Sequence, residues 1–154
     1  MLSRLSPTPF QIGLVVHDMD AARVELARAL GLTWTEPLER QSEGWEIRVC
    51  FSRQGPPHIE LIEGPPGSPW DSTAGSRIDH IGYWARDVGR ARDELAAAGV
   101  AVEVDGTRSG AAFTYQRGRD SGLRVELIDA DTRAAFFERW GLQDPDHRPP
   151  PRTP

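Results

Sequence analysis

The chain has 154 residues, of which 27% are charged, and its 18 basic side chains, all arginine, stand against 23 acidic ones. Without lysine and with one cysteine, it excludes an intrachain disulfide framework, a Cys-rich zinc site, a Schiff-base lysine and a lysine-containing phosphate loop. A net charge of -5 also argues against a nucleic-acid binder, which needs a basic surface to displace counterions.

The chain opens on a predicted strand and helix, and the same pattern returns in its second half. Residues 11–18 read QIGLVVHD and residues 80–87 read HIGYWARD, a constant 69 positions later. After each of them, apolar residues recur at i, i+3, i+7 and i+10, which predicts a helix with one apolar face. Asp18 and Asp87 stand at the positions expected for N-caps. The sequence therefore predicts two strand-then-helix units.

Three strand-like segments follow each predicted helix. They are residues 32–35, 45–52 and 58–63 in the first half and 100–104, 112–117 and 123–129 in the second. The last segment of each half carries matching residues, ELIE in the first and ELID in the second. We therefore predict an α+β fold in which a βαβββ unit occurs twice.

These units predict a single domain over residues 8–130. Module 8–63 and module 77–130 are joined by a linker at 64–76 that is rich in Gly, Pro and Ser. A short C-terminal helix at 131–143, capped by Asp131, is expected to follow. The tail at 144–154 has five prolines in eleven residues and is expected to be disordered.

Alternation along the predicted strands places polar side chains on shared faces. In the segment from Trp45, Glu46 and Arg48 share one face, which a solvated sheet surface would explain without any function. In the last segment of each half, Glu60 and Glu126 fall at equivalent positions. Two carboxylates related by an internal repeat indicate a shared site.

This repeated pattern resembles the vicinal oxygen chelate superfamily, the group of glyoxalase, bleomycin-resistance and extradiol-dioxygenase proteins. The resemblance covers residues 8–130. It implies two βαβββ modules that form a curved mixed sheet around a cleft, with metal ligands on the first and last strands of each module. Those four positions are Gln11, Glu60, His80 and Glu126. The set resembles the ligands of eukaryotic glyoxalase I, and it is also similar to methylmalonyl-CoA epimerase, which has His and Gln where this chain has Gln11 and Glu60.

The four side chains implied by the resemblance also form a reasonable ligand set chemically. Three oxygen donors and one imidazole nitrogen suit a divalent ion such as Mn, Mg, Co, Ni or a catalytic Zn. Two coordination positions would stay open, so that a substrate could chelate the ion through adjacent oxygens. Taken alone, a histidine such as His80 is more often an ordinary strand residue than a ligand. A Gln at the position of Gln11 can also accompany the loss of metal binding in some relatives.

Two carboxylates are the predicted proton carriers in such a site. Glu126 could act by leaving the metal, as a ligating glutamate that moves the proton. Glu46 falls where the resemblance to the epimerase implies a proton-transferring glutamate. A structural or substrate-contacting role is slightly favoured over proton transfer for Glu46.

Six side chains are predicted to contact a substrate in the cleft. Trp84 shares a strand face with His80, whereas Trp70 lies in the linker, which it could simply hold against the sheet. His58 lies on the Glu60 face, although it could also be exposed after two prolines. The full predicted set is Trp84, Arg48, Phe113, Tyr115, His58 and Trp70. A roomy aromatic cleft of this kind favours a hydrophobic or polycyclic small molecule.

Three functions are compatible with this sequence. The first, which we prefer, is a metal-dependent isomerase, epimerase or lyase that removes a proton next to a carbonyl. The second is a metal-free sequestration protein of the bleomycin-resistance type. The third is an extradiol-type dioxygenase, which is disfavoured because its iron uses two His and one carboxylate, and Gln11 stands at the first His position.

Location and assembly are further expectations from the sequence. No window approaches the roughly 18 apolar residues of a membrane span, and residues 1–9 lack the apolar stretch of a signal peptide. One cysteine and no targeting signal predict a protein of the reducing cytoplasm without membrane partners. The resemblance implies a homodimer, in which the linker would allow modules to be exchanged between chains.

Overall fold

The structure, a computed structural model, describes residues 5–145 as one curved mixed sheet with three helices. The first module contains β1 (Gln11–Val15), α1 (Met19–Leu30), β2 (Leu38–Ser42), β3 (Trp45–Phe51) and β4 (His58–Glu63). The second contains β5 (Arg77–Ala85), α2 (Val88–Ala97), β6 (Val100–Asp105), β7 (Phe113–Gly118) and β8 (Arg124–Asp129), and α3 (Arg133–Trp140) follows. The predicted α+β fold with two βαβββ units is confirmed.

The two modules meet along their first strands. The sheet has eight strands in the order β2-β3-β4-β1-β5-β8-β7-β6, in which β1 and β5 are antiparallel. Each of these pairs in parallel with the last strand of its own module, β1 with β4 and β5 with β8. The four strands that carry the predicted ligands are therefore the four central strands of the sheet.

The helices α1 and α2 pack their apolar stripes on the outer face of the sheet, and both begin at the predicted N-caps. Asp18 accepts a hydrogen bond from the Ala21 amide at 2.9 Å, and Asp87 accepts one from the Arg90 amide at 3.0 Å. Gly31 ends α1 in the left-handed conformation, with φ of 70°. The inner face of the sheet is left free to form a cleft.

The second strand of the first module lies later in the chain than predicted. Residues 32–35 form only one isolated bridge, between Trp34 and Ser52, and the strand is Leu38–Ser42 instead. The reason is a two-residue hairpin, in which Glu43 and Gly44 have φ values of 51° and 81°. Ser42 pairs directly with Trp45 across it. The Glu-Gly pair before Trp45 was the sequence signal for this turn.

The C-terminal helix begins one turn after a cap other than the predicted Asp131. Asp129 accepts a hydrogen bond from the amide of Asp131 at 3.0 Å and opens a short 3-10 turn that runs into α3. The helix then lays Phe136 and Trp140 against Phe51, with ring centroids 5.1 and 4.7 Å apart. These contacts place α3 over the inner face of the sheet.

The linker between the modules is pinned to the sheet by one aromatic side chain. Gly64 bridges Asp71, and Trp70 between them is only 2% exposed. Most of the predicted disordered tail, residues 146–154, lies outside the described residues. Within residues 5–145, no helix has the length and apolar character needed to cross a membrane.

Candidate metal centre

Four buried side chains from the central strands converge on the inner face of the sheet. His80 Nε2 lies 3.1 Å from Glu60 Oε2 and 3.2 Å from Glu126 Oε2. One ligand atom of each of these residues lies within 4.8 Å of the other two, as in a group that could hold a metal ion. Gln11 joins them from β1 and is 1% exposed. The structure thus brings together all four predicted ligand residues.

The amide of Gln11 supplies a test of whether a cation fits this group. Its nitrogen lies 3.0 Å from Glu60 Oε2, 3.0 Å from His80 Nε2 and 2.6 Å from Glu126 Oε2. Its oxygen, Gln11 Oε1, is buried without a hydrogen-bond partner. The two amide atoms exchange places by rotation about one bond. That rotation would turn an orphaned oxygen toward the point where the other donors converge, so the donor set fits a divalent cation.

Two glycines make room for the ligands across the β1 and β5 pair. Gln11 lies opposite Gly82, and Gly13 lies opposite His80. A β-carbon built at Gly82 would lie 2.5 Å from Gln11 Cγ, which is closer than real side chains approach. Each of the strands β1 and β5 therefore carries one ligand residue and, two residues later, the glycine that leaves room for the ligand residue of the other strand.

A buried ion network fixes the orientation of the His80 ring. His80 Nδ1 donates a hydrogen bond to Asp79 Oδ2 at 3.1 Å, and Arg124 Nη1 donates to the same oxygen at 2.7 Å. Arg124 is bound in turn by Glu103 at 2.9 Å and lies over the Tyr115 ring at 4.1 Å. A proton held on Nδ1 leaves the Nε2 lone pair free to face the other ligands. Asp79 was not predicted, although it directly precedes His80 in the sequence.

The electrostatics of the group demand a positive charge at its centre. Burial lowers the pKa of His80, but the Glu126 carboxylate and the hydrogen bond to Asp79 outweigh it and hold that pKa well above its ordinary value. Burial raises the pKa of Glu60, and the hydrogen bond and charge of His80 partly offset this increase. Two buried carboxylates are thus balanced either by a proton on His80 or by a cation in its place, because metal ligands bind in their deprotonated forms.

Gln11, Glu60 and Glu126 line the floor of a cleft with a volume of about 480 Å³, and His80 beside them is fully buried. The walls of the cleft come from the β2–β3 hairpin, the segment before β7 and helix α3. Of the predicted substrate contacts, Phe113, Tyr115 and Trp70 line this cleft. Trp70 and Tyr115 meet edge to face with centroids 6.5 Å apart. Trp70 therefore does more than hold the linker against the sheet, because its ring also forms part of the cleft wall.

Two predicted site residues of β3 lie outside the cleft. Ile47 and Val49 line it, so strand alternation directs Glu46 and Arg48 to the other face. There Arg48 pairs with Glu63 at 3.4 Å, beside a separate surface depression. The structure therefore does not bring Glu46 near the four ligand residues, and Arg48 forms ion pairs on the opposite face of β3 instead of lining the cleft.

Trp84 and His58 are buried but pack away from the open part of the cleft. Trp84 stacks on Phe10 with centroids 4.1 Å apart. His58 is 2% exposed, so the alternative of an exposed histidine is wrong, and its Nδ1 donates a hydrogen bond to the Ser52 carbonyl at 2.8 Å. Both rings also contact aromatic side chains of α3. They support the wall of the cleft from behind.

Several residues that line the cleft were not predicted from the sequence. Two come from β2 and α3, namely Arg40 and Arg139, and three are aromatic, namely Phe51, Phe136 and Trp140. The sequence predicted the C-terminal helix that carries these aromatic residues of α3. It did not predict which face of the sheet that helix covers.

Comparison with known proteins identifies relatives of this fold. The family model described as the glyoxalase/bleomycin resistance protein/dioxygenase superfamily matches residues 10–116. No curated protein matches the sequence.

Among solved structures, the chain is similar to methylmalonyl-CoA epimerase from Mycobacterium tuberculosis, with a TM-score of 0.64 and 19% identity over 88% of this chain and 96% of that chain. It is also similar to a variant of the Streptomyces coelicolor methylmalonyl-CoA epimerase in complex with 2-nitronate-propionyl-CoA, with a TM-score of 0.61 and 24% identity over 80% and 95% of the two chains. A variant of 4-hydroxymandelate synthase from Streptomyces coelicolor gives a TM-score of 0.59 and 13% identity over 82% of this chain and 48% of that one. At these identities the likeness concerns the fold.

Proposed function

Because the chain belongs to the glyoxalase/bleomycin resistance protein/dioxygenase superfamily, we propose that it is a metal-dependent enzyme of the isomerase, epimerase or lyase type. Its reaction is the removal of a proton from a carbon next to a carbonyl group of a small molecule. The observation that carries this proposal is the convergence of Glu60, His80 and Glu126 beside the orphaned amide oxygen of Gln11.

These four residues would hold the ion. A divalent metal bound there would polarise the substrate carbonyl and so make the neighbouring C–H bond more acidic. Mn, Mg, Co, Ni and Zn all accept three oxygen donors and one imidazole, so the donor set leaves the identity of the metal to experiment.

The proton is taken up by Glu126 in this proposal. It lies on the cleft floor and lines the cavity, and Tyr115 beside it stays protonated because burial raises the pKa of that hydroxyl well above its ordinary value. A tyrosine that keeps its proton can donate a hydrogen bond to the carboxylate and hold it in place. Glu60 lines the same cavity and is the second candidate. Glu46 is not given this role, because its side chain lies on the opposite face of β3.

The walls favour this chemistry by excluding water. Phe51, Phe113 and Trp140 surround the floor with apolar surface. In such surroundings the attraction between a developing oxyanion and a nearby positive charge is stronger than in water.

The proposal is tested by metal analysis and by solvent exchange. Protein purified from medium supplemented with divalent metals is expected to carry about one ion per chain, and His80→Ala is expected to carry none. Incubation in D₂O with a panel of 2-oxo acids and acyl thioesters, including the methylmalonyl-CoA bound by a structural neighbour, should place deuterium next to the carbonyl of an accepted compound.

Two matched glutamate variants test whether the carboxylate inside the cleft is required and the one outside it is not. Glu126→Gln should abolish exchange, whereas Glu46→Gln should leave both metal content and exchange intact, since its carboxylate lies outside the cleft. A protein that binds compounds of the panel but neither holds metal nor exchanges a proton would be a sequestration protein, and the enzyme proposal would then be abandoned.

A further inference from the structure

Two arginines line the cleft away from the four ligand residues. Arg40 lies on β2 and Arg139 in the last turn of α3. Neither forms an ion pair with any residue in the range 5–145 that the structure describes. Glu43, in the β2–β3 turn, also borders the cleft, so the two arginines leave an excess of positive charge at its mouth.

The register of the hairpin directs the side chain of Arg40 inward. Arg40 pairs with Ile47 across β2 and β3, and residues that are paired across two strands point to the same face. Ile47 is 5% exposed and lines the cleft. Arg40 itself is half-buried, so its guanidinium is partly removed from water without gaining a carboxylate partner. A partly buried charge of this kind is stabilised by an ionic partner.

The other face of the same hairpin shows how the chain treats an arginine that it neutralises. Arg48 lies within 3.4 Å of both Glu39 and Glu63 and within 3.6 Å of Asp20. Three carboxylates therefore surround Arg48 on the outer face of β3, whereas Arg40 on the inner face has no carboxylate partner among the described residues.

The ligand carboxylates do not fill this role. Arg40 lies two strands away from Glu60 and, because it pairs with Ile47 whereas Glu60 pairs with Phe51, four residues further along the strands. Their backbones are therefore about 16 Å apart at ordinary strand geometry. The charge of Arg40 still helps to lower the pKa of Glu60, although burial outweighs that effect. Arg40 and Glu60 thus line one cavity from separate positions, and Phe51 and Trp140 line the same cavity.

We infer that the cleft binds an aromatic acid, with an anionic group held at Arg40 and a flat ring against the aromatic side chains that line the cleft. Arg139 lies at the same mouth and adds to the attraction. The other end of such a molecule, which would carry the carbonyl, would reach the four ligand residues. This inference deepens the proposed function, on which its catalytic meaning rests, by assigning a substrate class.

The test measures the preference of the full chain for an acid over its neutral analogue. Binding of 2-naphthoate and of 2-naphthylmethanol is measured by calorimetry, on the protein as purified and again with EDTA. A charge-assisted hydrogen bond predicts that the wild type binds 2-naphthoate about tenfold more tightly than the alcohol under both conditions. The preference should weaken as NaCl is added, because a charge at the mouth is screened.

Variants assign the preference to the arginine. Arg40→Met keeps the length of the side chain and should bring the ratio of the two affinities close to one, whereas Arg40→Lys should retain most of the preference. Arg139→Met should reduce it by a smaller factor. Arg119→Met is the matched control, because Arg119 is exposed in the β7–β8 turn and does not line the cleft.

Several outcomes would overturn the inference. They are equal binding of the two compounds by the wild type, no binding of either, or a preference that survives in Arg40→Met. A preference that disappears with EDTA would assign the carboxylate to a metal instead of Arg40. The result is independent of the proposed reaction, since a chain that holds no metal and exchanges no proton can still show the preference.

Discussion

Gly13 lies opposite His80 in the antiparallel pair of β1 and β5, and the imidazole ring occupies the space that a side chain at position 13 would need. A β-carbon at Gly13 would lie 2.1 Å from His80 Cε1 and 2.6 Å from His80 Nε2. The ring cannot retreat easily, because Asp79 holds its other nitrogen. The absence of a side chain at position 13 is therefore a condition for the ligand group.

The first prediction is that Gly13→Ala damages the metal site more than it damages the fold. Forcing one methyl group into this contact should lower the free energy of unfolding by about 1–3 kcal/mol. It should also abolish tight metal binding, because His80 must turn away from Glu60 and Glu126. Metal titration followed by calorimetry, together with urea unfolding, measures the two effects separately.

Gly89→Ala is the control for that substitution. The nearest atom to a β-carbon at Gly89 in α2 would be Asp87 Oδ1 at 3.7 Å, an ordinary contact. Alanine there should leave metal binding unchanged and stabilise the protein by about 0.4–1 kcal/mol. Equal metal affinities in Gly13→Ala and wild type would show that His80 is not a ligand.

The same pair of strands shows what the sequence could predict. The repeat of QIG and HIG predicted the strands β1 and β5, and the resemblance to the vicinal oxygen chelate superfamily implied Gln11 and His80 as ligand positions on them. The match of Glu60 with Glu126 supplied the other two positions in the same way. The internal repeat therefore supports each of these positions with an equivalent position in the other module.

The face that a side chain occupies was harder to predict. Alternation in β3 showed that Glu46 and Ile47 point in opposite directions, but not which direction is the cleft. That choice depends on register, because Phe51 pairs with Glu60 and so fixes Phe51, Val49 and Ile47 to the ligand face. The usual expectation that polar side chains line a site was wrong for this strand. Register between strands is a tertiary property that one sequence does not contain.

The second prediction concerns Asp79. Replacing it with Asn removes the charged acceptor of the His80 Nδ1 hydrogen bond. Loss of such a partner should weaken metal binding by about 10–100-fold while the four ligand residues remain. Competition with a fluorescent chelator measures the affinity, and Asp93→Asn, an exposed aspartate on α2, should have no effect. Unchanged affinity in Asp79→Asn would contradict this role.

The same variant carries a prediction about pH. Burial raises the pKa of Asp79, but the hydrogen bond from His80 and the charge of Arg124 outweigh it and hold that pKa below its ordinary value. The ionised carboxylate therefore stabilises the folded state above the unfolded pKa of about 4. That contribution should disappear as the pH falls through the lower folded pKa. The difference in free energy of unfolding between wild type and Asp79→Asn should thus shrink as the pH falls below this range, which urea titrations at several acidic pH values would measure.

The third prediction tests whether α3 is an integral wall of the cleft. Trp140 is 4% exposed and packs edge to face on Phe51. Trp140→Ala should lower the free energy of unfolding by about 3–5 kcal/mol, because a large buried ring is lost. Trp45→Ala is the matched control, since Trp45 is 36% exposed at the hairpin, and it should cost about 0.5 kcal/mol or less. Similar urea midpoints for the two variants would mean that α3 does not pack on the sheet as described.

The last prediction concerns the single cysteine, which lies behind the cleft. Cys50 points to the outer face of β3, where it is buried among Val16, Met19 and Leu61 under α1. Burial raises the pKa of its thiol to about 12, so that at pH 8 about one molecule in ten thousand carries the reactive thiolate. An aromatic disulfide reagent should therefore react with the native protein only as fast as the protein unfolds. In guanidinium chloride the reagent should at once release one equivalent of its aromatic thiolate per chain. Rapid stoichiometric reaction of the native protein would instead show that the face of the sheet under α1 opens readily.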